Sequence, residues 1–153
     1  MRFETIILDP FNVVGISVRT INQGGQSQKD IGQLWQEFYS GNVMTEISDR
    51  ESDDIYCIYT GYESDAMGPY TCVLGCRVQS NASIPHGLQR VHVPGGRYQL
   101  YTSTGKIPDA VLNTWMGIWR SDVSRKYAVD FDIYGHASQD PEHGVLETYL
   151  SVK

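Results

Sequence analysis

The chain has 153 residues, of which 41% are hydrophobic, so it is too rich in core-forming residues for a disordered segment and fits one compact domain over residues 1–153. Its formal net charge is −6 without a lysine or arginine cluster, which argues against nucleic acid or an anionic membrane as a direct partner. No stretch approaches the ~18 apolar residues that span a bilayer. The three cysteines and the lack of a signal peptide predict reduced thiols and a cytoplasmic location.

The first half of the chain carries the signals of a strand, a helix and two further strands. After a lead-in over residues 1–12 that holds a candidate short strand, the β-branched run VVGISVRT (13–20) predicts a strand. DIGQLWQEFYSG (30–41) has five apolar residues at helical spacing and ends on glycine, so it predicts a helix. Two further strands, joined by a turn rich in glycine and proline, are predicted within 54–65 and at 70–78.

The same order of elements recurs in the second half. VPGGRYQLYTSTG (93–105) predicts a strand that opens with a Pro-Gly-Gly turn, and residues 91–92 are a candidate short strand before it. IPDAVLNTWMGIWRS (107–121) predicts a helix with proline in its first turn, where proline is favoured. VDFDIYG (129–135) alternates strictly between apolar and polar residues, and GVLETYLSVK (144–153) closes the chain, so both predict strands.

Residues 13–78 and 91–152 therefore repeat the order strand, helix, strand, strand. This order predicts an α+β fold in which the duplicated units form an antiparallel-rich sheet with two helices packed on it. Ligand sites often form where two packed halves meet, so we expect a pocket between the halves.

Two strands of the second half carry acids next to tyrosines. In the final strand Glu147 and Tyr149 share one face, while the other face is mostly apolar. In the strand before it, Asp132 and Tyr134 share a face. The alternation predicts that these four side chains lie on matching faces of adjacent strands. By itself it leaves open whether that face meets solvent or forms the floor of a pocket.

The sequence predicts no metal ion and no cofactor. Cys72 and Cys76 share a strand face, but a Cys-x3-Cys spacing on a strand matches no common zinc motif. The histidines lie near loops and form no ligand pattern; they are His86, His92, His136 and His143.

The order and spacing of several individually weak motifs cover nearly the whole chain. They are VVGISVRT, DIGQLWQEFYSG, DIYCIYTGYESD, YTCVLGCRV, VPGGRYQLYTSTGKI, TWMGIWRS, VDFDIYG and LETYLSVK. This series resembles the GyrI-like effector-binding domain family, especially its stand-alone members, which include integron-cassette effector-binding proteins. Larger relatives attach the domain to a helix-turn-helix module, as in AraC-type and MerR-type regulators. Both predicted helices here belong to the repeat and the charge is negative, so direct DNA binding is not carried over.

The resemblance implies non-catalytic binding of small amphipathic, often cationic organic molecules between the two halves. In the family, aromatic rings stack on the ligand and a buried acid answers its charge. The terminal Glu-x-Tyr motif implies that Glu147 is this acid, with Asp132 as the second candidate. The candidates for the aromatic wall are Tyr59, Tyr98, Trp115, Trp119, Tyr134 and Tyr149. We expect two or three of these six to pack in the hydrophobic core and not to line the pocket.

Two other functions stay open. Some relatives hydrolyse reactive electrophilic small molecules, and Glu147 beside Trp115 or Trp119 would then act as a general base. The sequence offers no matching set of nucleophile, base and orienting group. Gyrase-inhibiting relatives bind another protein, for which the acidic segment 46–54 is a candidate surface. More simply, the polar residues 42–54 predict a solvated loop.

Overall fold

The computed structural model describes residues 2–140 and 142–153. Over these residues the fold is α+β, with eight strands in one antiparallel sheet and three α-helices, which confirms the predicted fold class. The elements in chain order are β1 (Glu4–Leu8), β2 (Phe11–Thr20), α1 (Gln26–Ser40), α2 (Val43–Glu46), β3 (Ile55–Thr60), β4 (Tyr70–Val78), β5 (Gln89–Val93), β6 (Gly96–Gly105), α3 (Asp109–Arg120), β7 (Asp130–Tyr134) and β8 (Gly144–Ser151). None of the helices described here is long and apolar enough to cross a membrane.

The predicted duplication is present. β2, α1, β3 and β4 form the first unit, and β6, α3, β7 and β8 form the second. The strands lie in the order β1-β6-β8-β7-β3-β4-β2-β5. The two units meet where β3 pairs with β7, with Cys57 opposite Asp132 and Tyr59 opposite Asp130. This seam lies near the middle of the sheet. On one side of it α1 packs on β2 and β4, and on the other side α3 packs on β6.

The helix α2 corrects the prediction that residues 42–54 form only a loop. Val43 and Ile47 are four residues apart, so one helical turn brings both side chains to the same face. Both are buried in the cluster that also contains Phe38 of α1. Burial of this apolar pair stabilises a helical turn that the polar composition of the segment conceals.

β1 and β5, at opposite ends of the strand order, belong to one continuous ribbon. Leu8 lies opposite Gly96 in the ladder of β1 with β6, and Phe11 lies opposite Val93 in the ladder of β2 with β5. The register is therefore unchanged across the two residues that separate β1 from β2. Because the chain from Leu8 to Phe11 can span only about 10 Å, the sheet has to curl until its two edges come together.

Apolar side chains pack on both faces of this curled sheet. On the helix-covered face, one cluster under α1 includes Val14, Leu34, Phe38, Cys72 and Leu74. A second cluster under α3 includes Tyr101, Val111, Trp115, Ile118 and Leu150. The third cluster fills the opposite face and includes Phe11, Tyr56, Ile58, Tyr98 and Phe131.

The register of β7 against β8 shows that the predicted match between the two acidic strands is wrong. Asp132 lies opposite Thr148, whereas Glu147 lies opposite Ile133. Directly opposed residues of an antiparallel pair share a face, so Asp132 faces the helices and Glu147 faces away from them. The alternation within each strand is as predicted, but the register between strands, which one residue inverts, cannot be seen in alternation alone.

Gly15 and Gly75 lie opposite each other in the ladder of β2 with β4, where the two backbones approach closely. A Cβ on Gly15 would lie 1.9 Å from the carbonyl oxygen of Leu74, and one on Gly75 would lie 2.1 Å from the carbonyl oxygen of Val14. No side chain fits at either position unless the strands move apart.

We expect Gly15→Ala to lower the free energy of unfolding by about 2 kcal/mol or more, because the methyl group forces two paired strands apart. Gly32→Ala on α1 is the matched control, since nothing lies within 4 Å of a Cβ at that position. It should raise stability by up to about 1 kcal/mol through helix propensity. Urea unfolding measures both variants, and equal stabilities would contradict the close approach.

Candidate ligand-binding site

An aromatic cleft opens between α1 and α3, over the seam of β3 and β7. Its volume is about 390 Å³, within the range of roughly 300–1,000 Å³ found for ligand pockets. Both units contribute to its walls, so the expected pocket between the halves is present. Its aromatic lining includes Trp35, Tyr59, Tyr62, Tyr70, Trp115, Trp119 and Tyr134.

The rings of the cleft support one another mainly through edge-on and tilted contacts. Trp35 on α1 packs against Tyr134 with the ring centroids 4.9 Å apart and the planes at 73°. Trp115 on α3 meets Tyr59 at 5.3 Å and 79°, and Trp119 lies one helical turn further along at 6.4 Å. Edge-to-face packing leaves ring faces free to stack on a ligand. All three tryptophans of the chain line the cleft, so intrinsic fluorescence reports on it directly.

Asp132 lies beneath this wall and is completely buried. The Tyr59 hydroxyl donates to Oδ2 at 2.6 Å, the Trp115 indole N–H donates to it at 3.2 Å, and the Thr148 hydroxyl donates to Oδ1. All three donors are neutral, and no ion pair with Asp132 occurs among the described residues. Burial raises the pKa of Asp132 to about 6 even though the three hydrogen bonds act to lower it.

Asp130 is a second buried acid on the same strand face, and it does have a cation. Arg125 donates from Nη2 to Oδ2 at 2.9 Å, and the Tyr62 hydroxyl donates to the same oxygen at 2.6 Å. The backbone N–H and hydroxyl of Ser151 donate to Oδ1 at 2.8 and 2.9 Å. Of the two acids near the cleft, Asp130 is therefore neutralised within the protein and Asp132 is not.

The structure separates the predicted site residues into two groups. Four of them line the cleft: Tyr59, Trp115, Trp119 and Tyr134. Tyr98 and Tyr149 pack instead in the cluster on the opposite face, where Tyr149 stacks on Phe131 at 4.7 Å. Glu147 lies on that face too and accepts a hydrogen bond from Tyr149 at 3.1 Å. The acid beneath the cleft is Asp132, the second candidate, and Glu147 is not among the residues that line the cleft.

Several cleft residues were not identified from the sequence: Trp35, Tyr62, Tyr70 and Arg125. Trp35 belongs to the apolar stripe of α1, whose usual place is the core. Tyr62 and Arg125 lie outside helices and strands, where no periodicity exists to indicate direction. For Asp130 a signal did exist, because the strict alternation of β7 places it on the same face as Asp132.

Cys57 lies below Tyr59 and does not supply a reactive group. Its Sγ is 3.3 Å from the Tyr59 hydroxyl and 3.6 Å from the Sγ of Cys72. The contact with Cys72 and burial raise the pKa of Cys57 well above its ordinary value, so the thiol stays protonated and is a poor nucleophile. Across residues 2–140 and 142–153, no three His, Cys, Asp or Glu side chains gather as a metal site.

Sequence and fold both match known proteins. Residues 5–152 match the family described as Cass2, integron-associated effector binding protein. YobU of Bacillus subtilis, by name a candidate transcriptional regulator, is 28% identical over 151 residues, which cover 95% of this chain and 94% of YobU. The integron cassette protein VCH_CASS2 of Vibrio cholerae has the same fold, with a TM-score of 0.73, 24% identity and coverage of 99% of this chain and 95% of that one. SAV2435, solved bound to tetraphenylphosphonium, gives a TM-score of 0.82 at 20% identity, covering 100% of this chain and 94% of that one.

Two fused strand-helix-strand-strand units with an aromatic cleft at their seam define an effector-binding domain. The chain belongs to the Cass2 family of integron-associated effector binding proteins. The predicted resemblance to GyrI-like effector-binding domains of the integron-cassette type is thereby confirmed.

We expect the free energy of unfolding to fall by about 3 kcal/mol in total, owing to Asp132 alone, as the pH rises from well below 4 to well above 6. Because its pKa is higher in the folded chain than in the unfolded one, the folded state binds the proton more tightly. This contribution is present below the unfolded pKa and is lost as the pH passes through about 6.

Urea unfolding of the wild type and of Asp132→Asn across pH 4–8 isolates this contribution. The asparagine of the variant does not titrate. The free energy of unfolding of the wild type, measured relative to that of the variant, should therefore fall as the pH rises through this window. Parallel curves would contradict the raised pKa.

Proposed function

We propose that this protein binds small, amphipathic organic cations in the aromatic cleft and leaves them chemically unchanged, as a sensor or a sequestering protein. The observation that carries this proposal is the buried carboxyl of Asp132, which has three neutral hydrogen-bond donors and no cationic partner among the described residues. We propose Tyr59, Trp115, Trp119 and Tyr134 as the rings that receive the ligand, with Asp132 as the acid behind them.

The energetic argument rests on the cost of burying that carboxylate. Removing its hydration costs several kcal/mol, of which neutral hydrogen bonds return only a part. A cation in the cleft offsets more of the cost, because Coulomb attraction acts over several ångströms in a medium of low dielectric constant. Tyr59 and Trp115 add cation–π attraction of roughly 0.5–2 kcal/mol each. Their hydrogen bonds to the carboxylate also enrich the ring faces in electron density.

The cleft selects charge and flat apolar shape more than directed hydrogen bonds, which suits a range of lipophilic cations. The SAV2435 complex with tetraphenylphosphonium supports the ligand class, since that protein has the same fold. At 20% identity the likeness concerns the fold, and the ligand of this chain is our proposal. The protonated Cys57 supports binding without covalent chemistry.

We expect tetraphenylphosphonium to quench the tryptophan fluorescence saturably and Asp132→Asn to weaken its binding about tenfold or more. A loss of this size corresponds to ~1.4 kcal/mol, a modest share of the Coulomb term. Neutral triphenylphosphine oxide, of similar shape, should lose little affinity in the same variant. Glu147→Gln is the matched control, because Glu147 lies on the opposite face of the sheet and should not affect either ligand.

The outcomes distinguish the alternatives. Equal losses for the cationic and neutral compounds would remove the charge argument. A changed ligand mass after incubation would favour a hydrolase. A complete lack of quenching across a panel of lipophilic cations would favour a protein-interaction module.

We also expect the affinity for tetraphenylphosphonium to depend on pH in one direction only. The cation binds best when Asp132 is ionised, so the dissociation constant should rise as the pH falls below about 6, by up to tenfold per unit, and level off above it. Triphenylphosphine oxide should show no such dependence. Titrations by fluorescence between pH 4.5 and 8 measure both, and a flat profile for the cation would contradict the role of Asp132.

A further inference from the structure

Arg125 brings a positive charge to the wall of the same cleft. It lies between α3 and β7, its side chain is only 5% exposed, and it lines the cavity. Its backbone is anchored by a hydrogen bond to the carbonyl of Val123 at 3.0 Å and by a bridge to Val152 beside β8. The guanidinium therefore occupies a fixed position and is not a surface side chain that happens to point inward.

Only part of this guanidinium is satisfied by the protein. Its Nη2 donates to Asp130 at 2.9 Å, but its Nε is buried without an acceptor, and among the described residues no acceptor bonds to its Nη1. Asp130 has little capacity left, since Ser151 and Tyr62 also donate to its two oxygens. A guanidinium carries five N–H donors, and leaving a buried one unpaired is costly.

Aromatic rings surround Arg125 but do not complete its hydrogen bonds. Its Cζ lies 4.3 Å from the ring centroid of Tyr127 and 5.8 Å from those of Tyr62 and Trp115. Ring faces attract the charge, yet they offer no lone pair in the guanidinium plane. Burial acts to lower the pKa of Arg125, but Asp130, Tyr62 and Tyr127 together raise it by more, so the guanidinium stays charged.

We propose that Arg125 forms a second subsite of the cleft, which binds a carboxylate carried by the same ligand that places its cation over Tyr59 and Trp115. This inference rests on the proposed function and narrows the ligand class to amphoteric molecules, organic cations that also bear a carboxylate. Trp115 lies next to both charged groups, with its indole N–H 3.2 Å from Asp132 and its ring 5.8 Å from Arg125. Because both groups lie next to Trp115, a ligand with a few carbon atoms between its two charges fits beside both of them.

A lipophilic cation without a carboxylate makes no hydrogen bond to Arg125 and is repelled by its positive charge. A carboxylate on the ligand accepts charge-assisted hydrogen bonds from the N–H groups of Nη1, which is not among the buried unpaired atoms. Such bonds favour the amphoteric ligand over a matched cation by roughly tenfold or more.

Two probes with the same cation test this subsite: (4-carboxybutyl)triphenylphosphonium and pentyltriphenylphosphonium, titrated by tryptophan fluorescence at pH 7.5. We expect the wild type to bind the carboxylate compound about tenfold more tightly. In the double variant Arg125→Met with Asp130→Asn the ratio of the two dissociation constants should fall to about one. Replacing both partners avoids leaving Asp130 as a buried unpaired anion.

Measurable binding of the pentyl compound and an unchanged thermal melt report that the double variant is folded. Arg125→Lys is the second variant, because it keeps the charge and the pairing with Asp130 but loses the planar fork, so the preference should shrink several-fold. Binding of both probes by the wild type with equal affinity would overturn the subsite and leave the proposed function standing. A preference that survives in both variants would also overturn it, and no binding of either probe would overturn both proposals.

Discussion

The hydrogen bonds to the buried carboxyl of Asp132 are the interaction on which the site depends. They join three separate elements, since Tyr59 lies on β3, Trp115 on α3 and Thr148 on β8. An anion removed from water needs every donor that the fold can supply, so these contacts fix the positions of the side chains that make them. The rings of Tyr59 and Trp115 also form part of the cleft wall. The contacts that compensate the buried acid therefore also orient the rings of the cleft wall.

The duplication explains why such an acid can lie there at all. β3 and β7 come from different units and pair at the seam, so residues of both units converge beneath the space between α1 and α3. The curled ribbon of β1–β2 and β5–β6 closes the opposite face around its own apolar cluster. Because core residues fill one face, the aromatic cleft lies on the helix-covered face of the seam.

The fold was largely predictable from the sequence, because periodicity and turn residues are local properties that survive in the linear order. The placement of the acid was not predictable, because it depends on the register between β7 and β8, which is a non-local property. Alternation gave the correct partners within each strand, yet it could not tell whether Asp132 or Glu147 faces the helices. Arg125 could not be predicted as a cleft residue for a different reason. It lies outside the helices and strands, and only its tertiary contacts show that its side chain lines the cleft.

The two buried acids of β7 lie on one strand face but differ in their partners. Asp130 forms an ion pair with Arg125 and holds it in place, whereas Asp132 has no cationic partner among residues 2–140 and 142–153. In our proposals the cleft therefore has a negative charge beneath it, at Asp132, and a positive charge in its wall, at Arg125, with Trp115 between them. Stacking on rings gives affinity with little directional preference, because a ring face tolerates many orientations of its partner. If the cleft binds amphoteric ligands as we propose, two fixed charges of opposite sign remove that freedom, since a ligand that carries both can pair with them in one orientation only. Such an arrangement reconciles a broad aromatic surface with selectivity for the spacing of charges.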